Sequence, residues 1–199
     1  RARAGDFAVM YRTNAQSRVL EESFLRANLP YKLVGAQRFY GRREVKDVIA
    51  YLRLVHNSDD EVSLTRVINV PTRGIGDKTV TTLRMHAHKL NLSVGALVQD
   101  LGRGNDSQHK DLFSGRALTA LSSFGNHLMN WCQLSADSPP LALMDTILTA
   151  VDYHGYIDDG TEEGKERWDN VMELRRLASE YQERGLTSFL EEIALVSDQ

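Results

Sequence analysis

Tyr11 and Arg12 stand side by side at the end of the short apolar run Phe7-Ala8-Val9-Met10-Tyr11. An aromatic ring stacks on a base through its π face, and a guanidinium pairs with phosphate oxygens. At the carboxyl end of a buried strand, where open α/β sheets bind ligands, the two side chains read as a nucleotide contact. A half-buried strand-end tyrosine beside a surface arginine is the competing reading, and on these residues alone it is the stronger one. A second group is the turn Thr72-Arg73-Gly74-Ile75-Gly76 followed by Asp77-Lys78-Thr79. Its glycines let backbone N–H groups approach a phosphate, and a helix N-terminus behind them favours an anion. Arg73, Lys78 and Thr79 add donors beside Gly74, Ile75 and Gly76. Contact of this kind goes to sugar-phosphate, ignores base sequence and weakens with salt. An ordinary tight helix–helix turn weighs equally. Arg38-Phe39-Tyr40 with Arg42-Arg43 interleaves rings and positive charge, as single-strand binders do. One of those rings is expected in the core.

Other motifs fail on their chemistry. Gly160-Thr161-Glu162-Glu163-Gly164-Lys165-Glu166 has one residue too few between its glycines for a phosphate-binding loop, and Glu166 where a hydroxyl must hold Mg²⁺. Gly74-Ile75-Gly76-Asp77-Lys78-Thr79 lacks a glycine directly before its lysine. No G-x-x-x-x-G-K-[ST] occurs in the sequence. His86 and His88 point to different faces of a helix and have no cysteine or carboxylate at ligand spacing, so no metal is expected. Cys132, the only cysteine, excludes an internal disulfide and reads as a packing residue beside Trp131.

These side chains need elements to position them. Phe7–Tyr11 and Tyr31–Gly35 read as buried strands, with a helix between them over Asn14–Asn28 that places Leu20, Phe24 and Ala27 on one face. Strand, helix, strand over about thirty residues predicts a βαβ unit with parallel strands. From residue 43 the pattern is almost wholly helical, opening with the stripe Val45, Val48, Ile49, Leu52 and Val55. Ser58–Glu61 is an expected capping box, Asp77, Ser93 and Ser188–Glu191 are expected to cap or open helices, and Ser138-Pro139-Pro140 to start one with proline at its first position. Long amphipathic helices are expected through Ala117, Leu121, Phe124, Leu128 and Trp131, and through Trp168, Val171, Leu174, Ala178 and Tyr181.

With 42% hydrophobic and 26% charged residues in a 199-residue chain, a buried core is expected and a wholly disordered chain is not. No run approaches the roughly 18 apolar residues of a membrane span, and no signal-like segment opens the sequence, so a soluble intracellular protein is expected. Residues 1–104 hold 17 Lys/Arg against 10 Asp/Glu, whereas residues 105–199 hold 7 against 17. That reversal coincides with the linker-like Gly102–Ser107 and places an expected domain boundary at 104. The basic half suits a polyanion or nucleotide, the acidic half a solvated face. The chain begins Arg1-Ala2-Arg3 and ends just after an amphipathic stretch, so a piece of something longer is expected.

Tyr11–Glu22 (Tyr-Arg-Thr-Asn-Ala-Gln-Ser-Arg-Val-Leu-Glu-Glu) closely resembles motif IV of the UvrD/PcrA/Rep group of superfamily 1 DNA helicases. Pro30–Gly35, Arg38–Asp47 with Ala50–Arg53, and Asn69–Gly76 match the same family in order and spacing. Arg167–Leu174 is a weaker matching block. The resemblance implies that Tyr11 stacks on the adenine of ATP and that Arg12 reaches its γ-phosphate, with ATP and Mg²⁺ needed in the intact enzyme and neither expected bound here. Residues 1–104 would begin the second RecA-like subdomain, 2A, and residues 105–199 would form the helical 2B insertion. The implied fold is thus mainly α with a small parallel β part. The turn at Arg73–Gly76 resembles a helix-hairpin-helix element. Single-stranded and duplex DNA are the implied partners, with the absent 1A and 1B subdomains, the remainder of 2A and repair proteins; the implied place is the bacterial cytoplasm, at the nucleoid. Non-enzymatic DNA binding by the basic half, or protein binding by the acidic half, are the alternatives.

Overall fold

The computed structural model describes residues 3–34 and 38–197. They form ten α-helices: α1 Ser17–Arg26, α2 Arg43–His56, α3 Glu61–Val67, α4 Asp77–Leu90, α5 Val94–Gly102, α6 Gly115–Ser135, α7 Pro140–Ala150, α8 Tyr153–Ile157, α9 Glu162–Ser179 and α10 Gly185–Ser197. Short 3-10 turns at Asn14–Gln16 and Phe39–Gly41 lead into α1 and α2. Among the described residues there is no strand and no sheet.

The βαβ expectation is therefore corrected: the described part is helical, with no parallel β part and no RecA-like sheet. Residues 7–11 and 31–34 carry no regular structure. Phe7, Val9, Met10 and Val34 are exposed, Met10 at 94% and Val34 at 81%. A parallel ladder is stable when both of its faces are covered and several strands share it. Two short apolar segments meet neither condition, and a short apolar run does not by itself declare strand. Gly35, the expected last residue of the second strand, lies outside the described residues.

Helix α2 is the centre of the molecule. Its sequence stripe is buried along with Tyr51 and Leu54, and α3, α6, α7, α9 and α10 all pack on it. Tyr51 meets Trp131 of α6 edge to face at 5.8 Å. The core runs without interruption from α2 and α3 through α5 and α6 to α7, α9 and α10, crossing residue 104. Gly102 is buried against Gly125 of α6, and Gly104–Asp106 form a 3-10 turn.

The caps follow local chemistry. The Asp60 carboxylate accepts from Ser63 N at 3.0 Å and the Ser93 hydroxyl from Ala96 N at 3.0 Å. Pro140 opens α7, where a missing N–H is harmless. Three expectations move. Asp60, not Ser58, is the N-cap of α3, Gly76, not Asp77, precedes α4 as its N-cap, and α10 starts at Gly185, three residues before Ser188. No helix among the described residues is long and apolar enough to cross a membrane.

Candidate functional site

Helix α1 is buried on its polar side. Ser17, Arg18, Glu21 and Glu22 are buried, while the apolar Leu20 and Phe24 line an open cavity of about 920 Å³, with Ser17 and Glu21 at its wall. The same cavity is lined by Phe7, Met10, Tyr11 and Arg12 and by Tyr31 and Lys32. Tyr11 is half-buried there and Arg12 is exposed. The Arg12 guanidinium makes no hydrogen bond or ion pair among the described residues; its backbone N–H donates to Gln16 Oε1 at 3.0 Å, as Thr13 N does at 3.3 Å. Gln16 thus fixes the main chain while leaving both side chains on an open ledge, roomy enough for a purine.

What holds this segment is a set of buried polar contacts. Arg42, 6% exposed, donates through Nη1 to the Asn14 carbonyl and to Asn170 Oδ1, both at 2.7 Å, and through Nη2 to Ser17 Oγ at 2.8 Å. Asn170 Nδ2 donates to Glu44 Oε1 at 2.7 Å. Asn14 Nδ2 reaches Glu166 Oε2 at 2.8 Å. Arg18 bridges Glu22 and Glu173, each at 2.7 Å, and Tyr40 Oη donates to Glu22 at 2.8 Å. Burial pulls the Arg42 guanidinium below its usual range, against the pull of Glu21 and Glu44. Burial acts on Arg18 in the same direction, but Glu173 and Glu22 outweigh it and raise its pKa. Burial also pushes the Tyr40 hydroxyl up, so it stays protonated and donates.

The glycine turn is a separate surface. It enters through a cis Val70–Pro71 bond, and Asn69 Oδ1 accepts from Arg73 N at 2.8 Å and Ile75 N at 3.2 Å. Gly74 has φ +83°, a conformation in which glycine has no side chain to strain. Ile75 is buried at 1% exposure and anchors the turn, while Gly74, Gly76 and Lys78 are exposed and Thr79 is half-buried. Gly76 offers no side chain to cap α4, so the first N–H groups of that helix face outward without intrahelical acceptors. The Arg73 guanidinium turns inward: it donates to Tyr51 Oη at 2.8 Å and Val70 O at 3.0 Å and lies 4.8 Å from the Phe124 ring centre. Arg73 supports the turn from beneath. Arg38 is exposed, 5.9 Å from the Tyr31 ring, and lines a third surface, a cavity of about 400 Å³ that also takes in Lys46, Arg53 and Arg66. Of the ring pair expected to split between core and surface, Phe39 is fully buried and Tyr40 partly so.

Tyr11 and Arg12 are thus brought together, the turn Arg73–Gly76 leads directly into Lys78 and Thr79 at the start of α4, and Arg38 lies against Tyr31 at the rim of the Tyr11–Arg12 cavity. The sequence reading grouped Arg42 with the residues expected to face DNA, whereas its guanidinium is buried; it missed Asn170, Glu44 and Glu166, whose contacts across α9 join residues more than a hundred positions apart. The one available signal was that Arg42 and Asn170 both fall within blocks matching the helicase group. Among the described residues no cluster of three His, Cys, Asp or Glu is placed to hold a metal, and burial pushes the Cys132 thiol up.

Comparison with known proteins gives these surfaces a context. A family model described as the UvrD-like helicase C-terminal domain matches residues 2–199. The chain is 34% identical over 203 residues to the ATP-dependent DNA helicase PcrA of Staphylococcus epidermidis, covering 97% of this chain and 26% of that protein. The same identity and coverage hold for PcrA of Staphylococcus aureus. The chain spans about a quarter of the length of these curated relatives. With the match running across nearly every residue, the chain belongs to the UvrD-like helicase C-terminal domain family.

Proposed function

We propose that this chain is the part of an ATP-dependent DNA helicase that supplies one wall of the nucleotide site and a contact to the DNA backbone. The observation that carries the reading is the open cavity at Tyr11 and Arg12: a half-buried ring beside a guanidinium without a protein partner among the described residues. Tyr11 stacks on the adenine, and Arg12 neutralises charge on the γ-phosphoryl group as it transfers. ATP and Mg²⁺ are needed in the intact enzyme. The phosphate-binding loop and the metal ligands come from outside these residues, so the chain alone hydrolyses no ATP. The likeness to PcrA supports the reading, and the motif resemblance gives it a 3′ to 5′ sense along single-stranded DNA.

The turn at Gly74–Gly76 and the start of α4 contact duplex phosphates through their backbone N–H groups, with Lys78 adding a charge and Arg73 holding the turn in place. Two substitutions in the intact protein test this. Gly74→Val forces a β-branched side chain into φ +83° and is expected to weaken duplex binding while ATP hydrolysis on single strands persists. Lys78→Ala, at an exposed side chain, is expected to lower the slope of log affinity against log salt by about one. Duplex affinity that is unchanged in both variants, measured over a salt series by fluorescence anisotropy, removes the turn from the DNA contact.

A further inference from the structure

We propose that Asn170 and Arg42 are positioning residues for the nucleotide contact: they dock the Tyr11–Arg12 segment onto helix α9, so that α9 sets where the ring and the guanidinium stand. The inference rests on the reading of Tyr11 and Arg12 as nucleotide contacts.

Helix α9 presents Glu166 and Asn170 one turn apart and therefore on one face. Both reach the 3-10 turn that follows Arg12: Glu166 accepts from the Asn14 side chain, and Asn170 accepts from the guanidinium that also holds the Asn14 carbonyl. Glu173, three residues on, takes Arg18 at the start of α1. The ridge Glu166, Asn170 and Glu173 is thus the bed on which the segment lies. Gln16 continues the chain of contacts to the backbone of Arg12 and Thr13.

The chemistry of Asn170 fits this task. Arg42 only donates and the Glu44 carboxylate only accepts, so the side chain between them must accept on one side and donate on the other. An amide does both, and its orientation is fixed by its two partners. Aspartate would set a second carboxylate against Glu44, and an apolar residue would leave buried polar groups unsatisfied. Arg42 is equally constrained. Its planar fork spans the Asn14 carbonyl, Asn170 and Ser17 at once, which the single ammonium of lysine does not reproduce.

The test is a double-substitution cycle in the intact protein, read as KM and kcat for ATP with single-stranded DNA present, with thermal melting as the folding check. Asn170→Asp is expected to raise KM for ATP on the order of tenfold and to lower kcat, because a small displacement of a contact is costly. In a Tyr11→Ala background the same change is expected to move KM less than about twofold, since the contact it places has gone. An equal KM effect in both backgrounds, or none with Tyr11 present, overturns the inference while leaving Tyr11 as a nucleotide contact. If Tyr11→Ala alone leaves KM unchanged, the nucleotide reading itself fails. Should Asn170→Asp not fold, Glu166→Ala at the exposed end of the same ridge carries the test: a KM increase that depends on Tyr11 supports the inference, and a flat KM overturns it.

Discussion

With Arg12 replaced by alanine, the intact protein is expected to hydrolyse ATP about 10³-fold more slowly, the lower range for an arginine that meets the transferring phosphoryl group. Binding of single-stranded DNA without nucleotide should change little. The separation follows from geometry. The Arg12 side chain is exposed on the cavity edge with no partner among the described residues, so its removal leaves no buried group unsatisfied and opens no core. The segment itself is held through the backbone by Gln16 and Arg42, which the substitution does not touch. Arg12→Lys keeps a positive charge but loses the planar fork, and is expected to recover only part of the loss. Steady-state ATPase and DNA affinity on the same preparations decide it: turnover equal to the parent removes Arg12 from the phosphoryl site, and parallel losses of ATPase and DNA binding point to misfolding. Tyr11→Phe should retain the parent KM for ATP, because stacking uses the ring face and not the hydroxyl.

How much of this was legible depended on whether a residue's partner was local. The α2 stripe could be read because one helix face meets the core, and period alone reports that face. The helix starts at Ser93 and at the prolines that open α7 could be read because a cap acts on backbone within one turn of itself, although at α3 the cap is Asp60 and not Ser58 of the expected box. Helix α1 misleads for the opposite reason. Its apolar side, Leu20 and Phe24, lines an open cavity, while its charged side is buried because Arg18, Glu22 and Glu173 neutralise one another. Hydrophobic pattern cannot register a buried face made of ion pairs. Arg73 shows the same limit: its type and place beside glycines suited an outward phosphate contact as well as a plain turn, and the Val70 carbonyl and the Tyr51 hydroxyl draw it inward. The apolar runs at 7–11 and 31–34 carried strand-like composition, but pairing is a property of neighbours, and they have no ladder here. Tyr11 and Arg12 could be singled out because they are adjacent in sequence, whereas Asn170 could not, because its hydrogen-bond partners are 128 and 126 positions away.

Gly102 shows most sharply what a linker-like composition conceals. Gly102-Arg103-Gly104 looks like a hinge, yet Gly102 is the last residue of α5 and is buried against α6. A Cβ on Gly102 would come within 3.0 Å of the Gly125 backbone, and one on Gly125 within 3.0 Å of Val98 O and of Gly102. The two helices touch backbone to backbone, and neither can yield by turning a side chain. Gly125→Ala is therefore expected to destabilise the protein by about 3 kcal/mol, at the upper end for overpacking. That is a large share of the roughly 5–15 kcal/mol that folds a domain. Gly102→Ala should cost a similar amount. The double variant should cost clearly less than the sum, because moving α5 away from α6 once accommodates both methyl groups. Denaturant unfolding of the three variants checks this. Near-neutral single substitutions would mean that α5 and α6 stand further apart than the structure places them, and strict additivity would mean that each methyl is relieved locally and not by helix separation.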